Sequence, residues 1–224
     1  MNFDFTYNAD FVFSIDATAS MERFIYALRE YMPSFEAAVR KRFEENEKDF
    51  GSVRVRFVIF RDIAYDPDPL IESVFFNLPE DTEEMMAFLE HVECEGGGDK
   101  PESALEALAI AINSEWREER GTRQTIVLFT DADAHPLGEH AWHVRYPEGI
   151  PESNDGLREL WEKGGENGCL RRRGRLVVIC PASSNLFSEI CEWDRSFAIN
   201  EDPSEMSCET VAKYLSDISE FISF

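Results

Sequence analysis

The first strongly apolar stretch of the chain is Phe11-Val-Phe-Ser-Ile15, and a polar stretch, Asp16-Ala-Thr-Ala-Ser20, follows it directly. The apolar residues predict a strand over 10–15 that is buried on both faces. Helical spacing of apolar residues then begins at Met21 and continues to about residue 45. Pro33 lies within this helix and is expected to kink or divide it. The start of the chain therefore reads as a strand, a short polar turn and a helix.

The same succession of strand and helix recurs to the end of the chain. Apolar runs predict strands over 52–63, 124–130 and 176–180, with short edge strands over 73–76 and 197–199. Helical patterns cover 83–92, 101–116, 155–163, 185–193 and 204–224.

Strands that alternate with helices indicate an α/β fold with a doubly wound, mostly parallel sheet. Helices would cover both faces, in a Rossmann-like three-layer αβα arrangement, and the strand over 73–76 would form one antiparallel edge. The chain has neither an internal repeat nor a linker-like segment. We therefore expect a single domain over residues 1–224.

Charge restricts the classes of partner. The sequence has 22 basic and 45 acidic residues, a formal net charge of −23. So negative a surface repels phosphate groups, which argues against nucleic acid and anionic membranes as partners. No apolar run approaches the ~18 residues of a membrane span.

Cysteine usage and the first residues of the chain bear on location. The five cysteines are scattered and form no Cys-x-x-Cys pair, which favours reduced, buried thiols over disulfides or a zinc site. Met1-Asn-Phe-Asp-Phe-Thr lacks the basic start and long apolar stretch of a secretory signal. Both observations lead us to expect a cytoplasmic protein.

Three oxygen-bearing side chains lie at alternate positions just after the first strand: Asp16, Thr18 and Ser20. In an open α/β sheet, ligands bind outside the carboxyl ends of the strands. Carboxylate and hydroxyl oxygens are hard ligands that suit Mg²⁺. The same residue types are also favoured helix caps, so this pentapeptide alone is consistent with either a metal site or a cap.

Two further turns carry carboxylates. Asp99 follows three glycines that free the backbone to approach another group closely, and Asp131 follows the strand over 124–130. A doubly wound sheet would bring Asp16, Asp99 and Asp131 to one edge. Asp133 is interpreted as a loop or capping carboxylate rather than a ligand.

With Asp16-Ala-Thr18-Ala-Ser20 after the first strand and Thr130-Asp131 after a later one, the sequence resembles a von Willebrand factor type A (vWA) domain, of the stand-alone kind common in bacteria. The metal-ion-dependent adhesion site of that family uses Asp-x-Ser/Thr-x-Ser, a Thr before a later helix, and an Asp after the fourth strand. Asp99 stands where that Thr is usual. The metal ligands that the resemblance implies are Asp16, Thr18, Ser20, Asp99 and Asp131.

The resemblance also implies a cofactor and a role. The cation would be Mg²⁺, or Mn²⁺ or Ca²⁺, with Thr18 and Ser20 as direct ligands and Asp16 and Asp131 acting largely through water. A free position would accept an acidic side chain of a partner protein. The implied function is a metal-dependent protein-binding module without catalysis, acting as an intracellular scaffold or assembly factor. With three carboxylates the site would carry −3, which predicts tight cation binding and a less electrophilic metal.

Other interpretations remain open. A Mg²⁺-dependent hydrolase or phosphatase of haloacid-dehalogenase type also has an Asp after its first strand, but it needs a second Asp where this chain has Thr18. A structural subunit with a vestigial metal site is a further alternative. His135, His140 and His143 could form a zinc cluster, yet neither Cys nor a carboxylate lies at regular ligand spacing. Solvated histidines in a long loop over 135–153 are the expectation.

Overall fold

A computed structural model of the chain describes residues 6–97 and 101–221, the last three by their backbone alone, and places a seven-stranded sheet at its centre. The strands lie in the order β3-β2-β1-β5-β6-β7, and β4 also pairs with β2. Pairing is parallel except for β3 and β4, which run antiparallel to β2. The predicted fold class is confirmed. The strands are β1 (Tyr7–Asp16), β2 (Phe50–Phe60), β3 (Leu70–Glu72), β4 (Phe76–Leu78), β5 (Arg123–Phe129), β6 (Gly174–Cys180) and β7 (Ser196–Asn200).

Helices cover both faces of this sheet. One apolar core lies between the sheet and α1, α2, α3 and α7, and the other lies between the sheet and α4, α5 and α6. In β1, Phe11 and Phe13 enter the first core and Val12 enters the second, which explains why the strand is apolar without alternation. The helices are α1 (Glu22–Tyr31), α2 (Phe35–Glu45), α3 (Thr82–Glu90), α4 (Ala104–Ile112), α5 (Asn154–Lys163), α6 (Asn185–Ile190) and α7 (Cys208–Phe221).

The predicted division of the first helical segment is confirmed. A 3₁₀ turn over Met32–Ser34 separates α1 from α2 and contains Pro33. Proline lacks the amide hydrogen of a helix interior and its ring crowds the preceding turn, so the α-helical hydrogen bonds stop there.

The short strand predicted over 73–76 is displaced, because two short strands, β3 and β4, lie on either side of Ser73. The Ser73 hydroxyl accepts a hydrogen bond from the Phe57 amide at 2.9 Å and donates to the Val74 carbonyl at 2.8 Å. The Ser73 amide still donates to the Phe57 carbonyl at 3.0 Å, so the side chain replaces one of the two backbone hydrogen bonds at that point. The predicted antiparallel edge is present, but in two pieces.

Several helix ends also differ from the prediction. The helix expected over 101–116 is α4 alone, and the Trp116 indole caps its end by donating to the Ile112 carbonyl at 3.1 Å. The helix expected from 204 begins at Cys208, after a 3₁₀ turn over Pro203–Glu205. Residues 222–224 of that prediction lie outside the described part of the chain.

All five cysteines are free. The expectation that they are buried is wrong for Cys191 and Cys208, which are exposed, whereas Cys180 is buried. Among the described residues, no helix combines the length and apolarity needed to cross a membrane.

The strand order fixes where polar side chains meet. From β1 the chain passes to β2 on one side, whereas from β5 it passes to β6 on the other, and β1 and β5 are neighbours. A crevice opens at the carboxyl ends of two strands whose connections diverge in this way. Asp16 ends β1, and Thr130 and Asp131 follow β5, so both turns lie at this crevice.

Candidate functional site

Asp16 is the fixed centre of the crevice. It is fully buried, and its Oδ1 accepts hydrogen bonds from the Thr18 amide at 2.9 Å and the Thr18 hydroxyl at 2.7 Å. Its Oδ2 accepts a hydrogen bond from the Thr130 hydroxyl at 2.7 Å. One carboxylate therefore joins the turn after β1 to the turn after β5.

Thr18 and Ser20 face each other in the first turn, with 3.3 Å between their hydroxyl oxygens. Thr18 is the N-cap residue of a 3₁₀ turn over Ala19–Met21, yet its side chain makes no capping hydrogen bond. Its hydroxyl hydrogen is directed to Asp16 instead, which leaves the oxygen lone pairs available. The geometry does not support a helix cap as the role of Thr18.

Asp131 enters the same crevice from β5. Its Oδ1 is buried and has no hydrogen-bond partner among the described residues. Thr130 holds this turn, since its hydroxyl oxygen also accepts from the Ala132 amide at 3.1 Å. A buried carboxylate oxygen without a partner is costly unless a cation or another donor satisfies it. The oxygen-only donor set therefore fits a hard divalent cation.

Electrostatics at Asp16 favour the same conclusion. Burial raises the pKa of this carboxyl to about 6, although the hydrogen bonds from Thr130 and Thr18 act in the opposite direction. The negative charge of Asp131 adds to the rise. Two carboxylates in a desolvated crevice repel each other, and a bound cation would relieve that repulsion.

The glycine-rich loop passes against these turns. A Cβ on Gly96 would lie 1.9 Å from Asp66 Oδ1, and one on Gly97 would lie 3.3 Å from Thr18 Cβ. Both glycines have positive φ values, +81° and +78°, which side-chain-bearing residues rarely adopt. The predicted close approach is thus observed at these two positions. Asp99 lies outside the described residues, so its ligand role stays a prediction.

Sequence reasoning gave no separate role to two residues beside this site. In the sequence Thr130 stands out only as part of the motif with Asp131, yet in the structure its hydroxyl donates to Asp16 and holds that carboxylate in place. Glu102 is 2% exposed and lies beside Gly97. A Cβ added to Gly97 would be 3.8 Å from Glu102 Oε1 and would also contact Thr18. The sequence feature that could have indicated this residue is its position three residues after Asp99.

Asp133 is exposed, and its Oδ1 accepts a hydrogen bond from the Asn185 amide at the start of α6, at 2.9 Å. Its interpretation as a capping carboxylate is confirmed.

The expectation of solvated histidines is wrong for two of the three. His135 and His140 are buried, whereas His143 is half-buried. Nε2 of His135 lies 2.8 Å from Asp62 Oδ2, and Nδ1 lies 3.0 Å from Glu139 Oε2. Burial opposes protonation of His135, but the two carboxylates outweigh it and raise the pKa of the imidazole. Asp62 is 73 residues away in sequence, so no local spacing could indicate this contact.

The sequence profile of the von Willebrand factor A domain matches residues 10–138, more than half of the chain. The chain belongs to the von Willebrand factor A domain family. Domains of this family generally mediate protein interactions and commonly bind a divalent metal. The matched segment contains β1 from residue 10 onward, all of β5 and the turns that carry Asp16 and Asp131.

Individual relatives are distant. The alpha-protein kinase vwkA of Dictyostelium discoideum is 23% identical over 142 residues, 63% of this chain and 21% of that protein. The vWA chain therefore spans about a fifth of that relative's length. Among solved structures, the pilus adhesin SpaC of Lactobacillus rhamnosus GG gives a TM-score of 0.62 at 11% identity, over 97% of this chain and 31% of that one. The minor pilin PilB of Streptococcus sanguinis gives 0.57 at 17% identity, over 98% and 62%. These structural likenesses establish the fold.

Proposed function

We propose that this vWA domain binds a partner protein through a divalent cation, Mg²⁺ or alternatively Mn²⁺ or Ca²⁺, at the crevice between β1 and β5. The residues that would hold the cation are Asp16, Thr18, Ser20, Asp131 and, by its place in the motif, Asp99. One observation carries the proposal. The hydrogen bonds of Asp16 unite two distant turns, and beside them Asp131 Oδ1 is buried without a partner among the described residues.

The roles follow from the contacts. Thr18 and Ser20 supply hydroxyl oxygens directly, while Asp16 and Asp131 act mainly through ordered water and fix the hydroxyls. The remaining position would take a carboxylate of the partner. Since the chain carries −23, an acidic side chain would be repelled by this surface without the cation. The cation would therefore govern whether such a partner binds.

The proposed role is binding without catalysis. A haloacid-dehalogenase-type reaction needs a general acid two residues after the first aspartate, but Thr18 occupies that position and donates its hydroxyl to Asp16. We expect no hydrolysis of a generic phosphate ester in the presence of Mg²⁺. Turnover that is lost in Asp16→Asn but retained in Asp133→Asn would contradict this part of the proposal.

The setting we propose is the inside of a cell, where the domain would act as a scaffold or assembly factor. Five free cysteines, two of them exposed, suit a reducing compartment.

Cation binding is tested first, without a partner. Titration with Mn²⁺, followed by electron paramagnetic resonance, should reveal one ion per chain that Mg²⁺ displaces. Asp131→Asn should weaken this binding at least about 10-fold, because it removes a charge next to the ion. The matched control, Asp133→Asn in the same loop, keeps an acceptor oxygen for Asn185 and should bind Mn²⁺ as the wild type does. Equal affinities for all three proteins would reject the site.

Partner binding is tested next. A pull-down from native lysate should retain a partner with Mg²⁺ and lose it with EDTA. Asp16→Ala should fail to retain that partner, and Asp133→Asn should retain it. If Asp16→Ala binds no Mn²⁺ yet still retains the partner, the cation site is supported, but the proposal that the cation is needed for partner binding is rejected.

A further inference from the structure

A second polar cluster lies at the same edge of the sheet and takes no part in the site above. It consists of Asp62, just after β2, and of His135 and His140 in the loop that follows β5. Each residue offers one ligand atom, and the three atoms lie within 4.8 Å of one another. All three residues are buried.

Two of the three ligand atoms are oriented by outside contacts. Oδ1 of Asp62 accepts a hydrogen bond from the Ala64 amide at 2.6 Å, which leaves Oδ2 directed at His135. On the far side of the imidazole, Nδ1 of His135 lies 3.0 Å from Glu139 Oε2. Histidine ligands of metals commonly hold their second nitrogen against a carboxylate, which fixes the tautomer with the other nitrogen free for the ion. Glu139 is placed to do this.

His140 places a third ligand atom beside the contact between Asp62 and His135. It is 8% exposed, and its ring nitrogens make no hydrogen bond to another described residue, although they are not sealed from solvent. Its ring stands edge-on to that of His135, with 4.4 Å between the centroids. A protonated His135 would satisfy Asp62 and Glu139 but would leave the third ligand atom, on His140, to bind only water. A cation between the three ligand atoms satisfies all of them.

We propose that Asp62, His135 and His140 bind a transition-metal dication of the Zn²⁺ class. Two imidazoles and one carboxylate match the preference of Zn²⁺ for nitrogen and oxygen, whereas Mg²⁺ and Ca²⁺ take oxygen ligands. Ligands at about 2.0–2.1 Å in a tetrahedron are roughly 3.3 Å apart, so the separations here need only small side-chain adjustments. The positive charge of the ion would balance the negative charges of Asp62 and Glu139 together, which lowers the cost of burying it.

Such an ion would tie two distant segments together. It would link the end of β2 to the loop that carries Asp131 only four residues before His135. Residues 136–153 of this loop have neither helix nor strand, and the backbone hydrogen bonds within it are short-range turns, such as those from Glu139 to Pro136 and from His143 to His140. The ion would add a long-range link to these local turns. This inference does not depend on the cation or partner assigned above, because the two ligand sets share no residue.

The test uses the full chain with Cys191→Ser and Cys208→Ser as background, so that the exposed thiols do not compete for metal. Saturating Mg²⁺ is kept present to occupy the oxygen site. Co²⁺ is the probe, because four-coordinate Co²⁺ absorbs visible light far more strongly than six-coordinate Co²⁺. We expect one Co²⁺ per chain with this strong absorption, displaced by one equivalent of Zn²⁺.

Trp142 offers a second readout, since its ring centroid lies 6.3 Å from that of His140 and its side chain is exposed. Bound Co²⁺ should quench its fluorescence. Trp142→Phe should remove this quenching and leave the visible absorption unchanged.

Three variants separate the ligands from their surroundings. His140→Ala should lower Zn²⁺ affinity more than about 100-fold, and Glu139→Gln about 10-fold, the range typical for a group that orients a ligand. The control, His143→Ala, alters a histidine of the same loop outside the cluster and should leave the affinity unchanged. Circular dichroism of each variant confirms that it is folded.

Two results would overturn the proposal. One is that the Cys191→Ser, Cys208→Ser background, with its cluster intact, binds no Zn²⁺ at micromolar concentration. His135 would then be an ion-paired imidazolium. The other is equal Zn²⁺ affinity in the background and in folded His140→Ala, which would place the ion elsewhere.

Discussion

Two polar clusters share one edge of this vWA domain, and they differ in how the chain builds them. The cluster around Asp16 begins with three proposed ligands inside five consecutive residues and is completed by the turn after β5. The cluster around Asp62 depends from the outset on a contact across 73 residues. The first contains oxygen ligands alone, and the second contains two imidazoles and one carboxylate.

If both proposals hold, ligand chemistry separates two neighbouring metal sites. Hard oxygen ligands favour Mg²⁺, and imidazoles favour Zn²⁺, so two cations could occupy one edge without exchanging places. Both clusters draw on the loop after β5, through Asp131 and His135 respectively. The predictions below test whether the two behave as independent sites.

The largest effect on metal affinity is expected when one ligand of each proposed site is removed and each variant is titrated with both metals. Asp16→Ala should abolish Mn²⁺ binding and leave Zn²⁺ binding intact, whereas His140→Ala should do the reverse, each with a change of more than about 100-fold in its own metal. Isothermal titration of both metals against both variants measures this. A variant that loses both metals while remaining folded would show that the sites are one coupled unit.

The second effect concerns stability and pH in the metal-free protein. Burial raises the pKa of Asp16 to about 6 from 3.8, so the folded state binds more protons than the unfolded state between these values. The contribution of Asp16 to the free energy of unfolding therefore falls as pH rises from about 4 to 6, by on the order of 2–3 kcal/mol. It stays low above that range.

Urea unfolding in EDTA at pH 4, 5, 6 and 7 measures that slope. Asp16→Asn, which does not titrate, should lose it, and Mg²⁺ at pH 7 should restore stability to the wild type only. The same slope in Asp16→Asn would assign the pH dependence to other groups.

A smaller effect is expected from the residue that joins the two turns of the oxygen site. Thr130→Val keeps the shape of the side chain but removes its hydrogen bonds to Asp16 and from Ala132. Mn²⁺ affinity should fall about 10-fold, and the free energy of unfolding should fall by about 1–3 kcal/mol. Thr130→Ser keeps the hydroxyl and should retain most of the affinity. Zn²⁺ affinity should be unchanged in both.

The smallest effect is expected at Asp99, where most vWA sites would have Thr. Asp99→Thr would reduce the charge of the proposed oxygen site from −3 to −2 and should weaken Mg²⁺ or Mn²⁺ binding by about 1 kcal/mol, the magnitude for a solvated charge pair. Titration with Mn²⁺ measures it. Tighter binding by Asp99→Thr than by the wild type would contradict the charge argument.

Local pattern was sufficient for much of the fold. The apolar runs predicted the five parallel strands, and Pro33 predicted the break between α1 and α2. The predicted ends of strands and helices were wrong where a hydrogen bond from one side chain interrupted the element that the periodic pattern indicated. Ser73 interrupts the antiparallel edge with its hydroxyl, and Trp116 ends α4 with its indole. A pattern of apolar positions carries no information about such hydrogen bonds.

The sequence by itself determined the α/β architecture, the family, and the turn that places Asp16, Thr18 and Ser20 at a strand end. Each of these depends on residues close together in the chain, where strand and helix periods constrain the side chains directly. Only the tertiary structure decided that Thr130 holds Asp16, that Asp131 is buried without a described hydrogen-bond partner for Oδ1, and that Asp62 meets His135 and His140. Those contacts arise because the sheet places β1, β2 and β5 side by side, and the order of strands is a property of the whole packed domain.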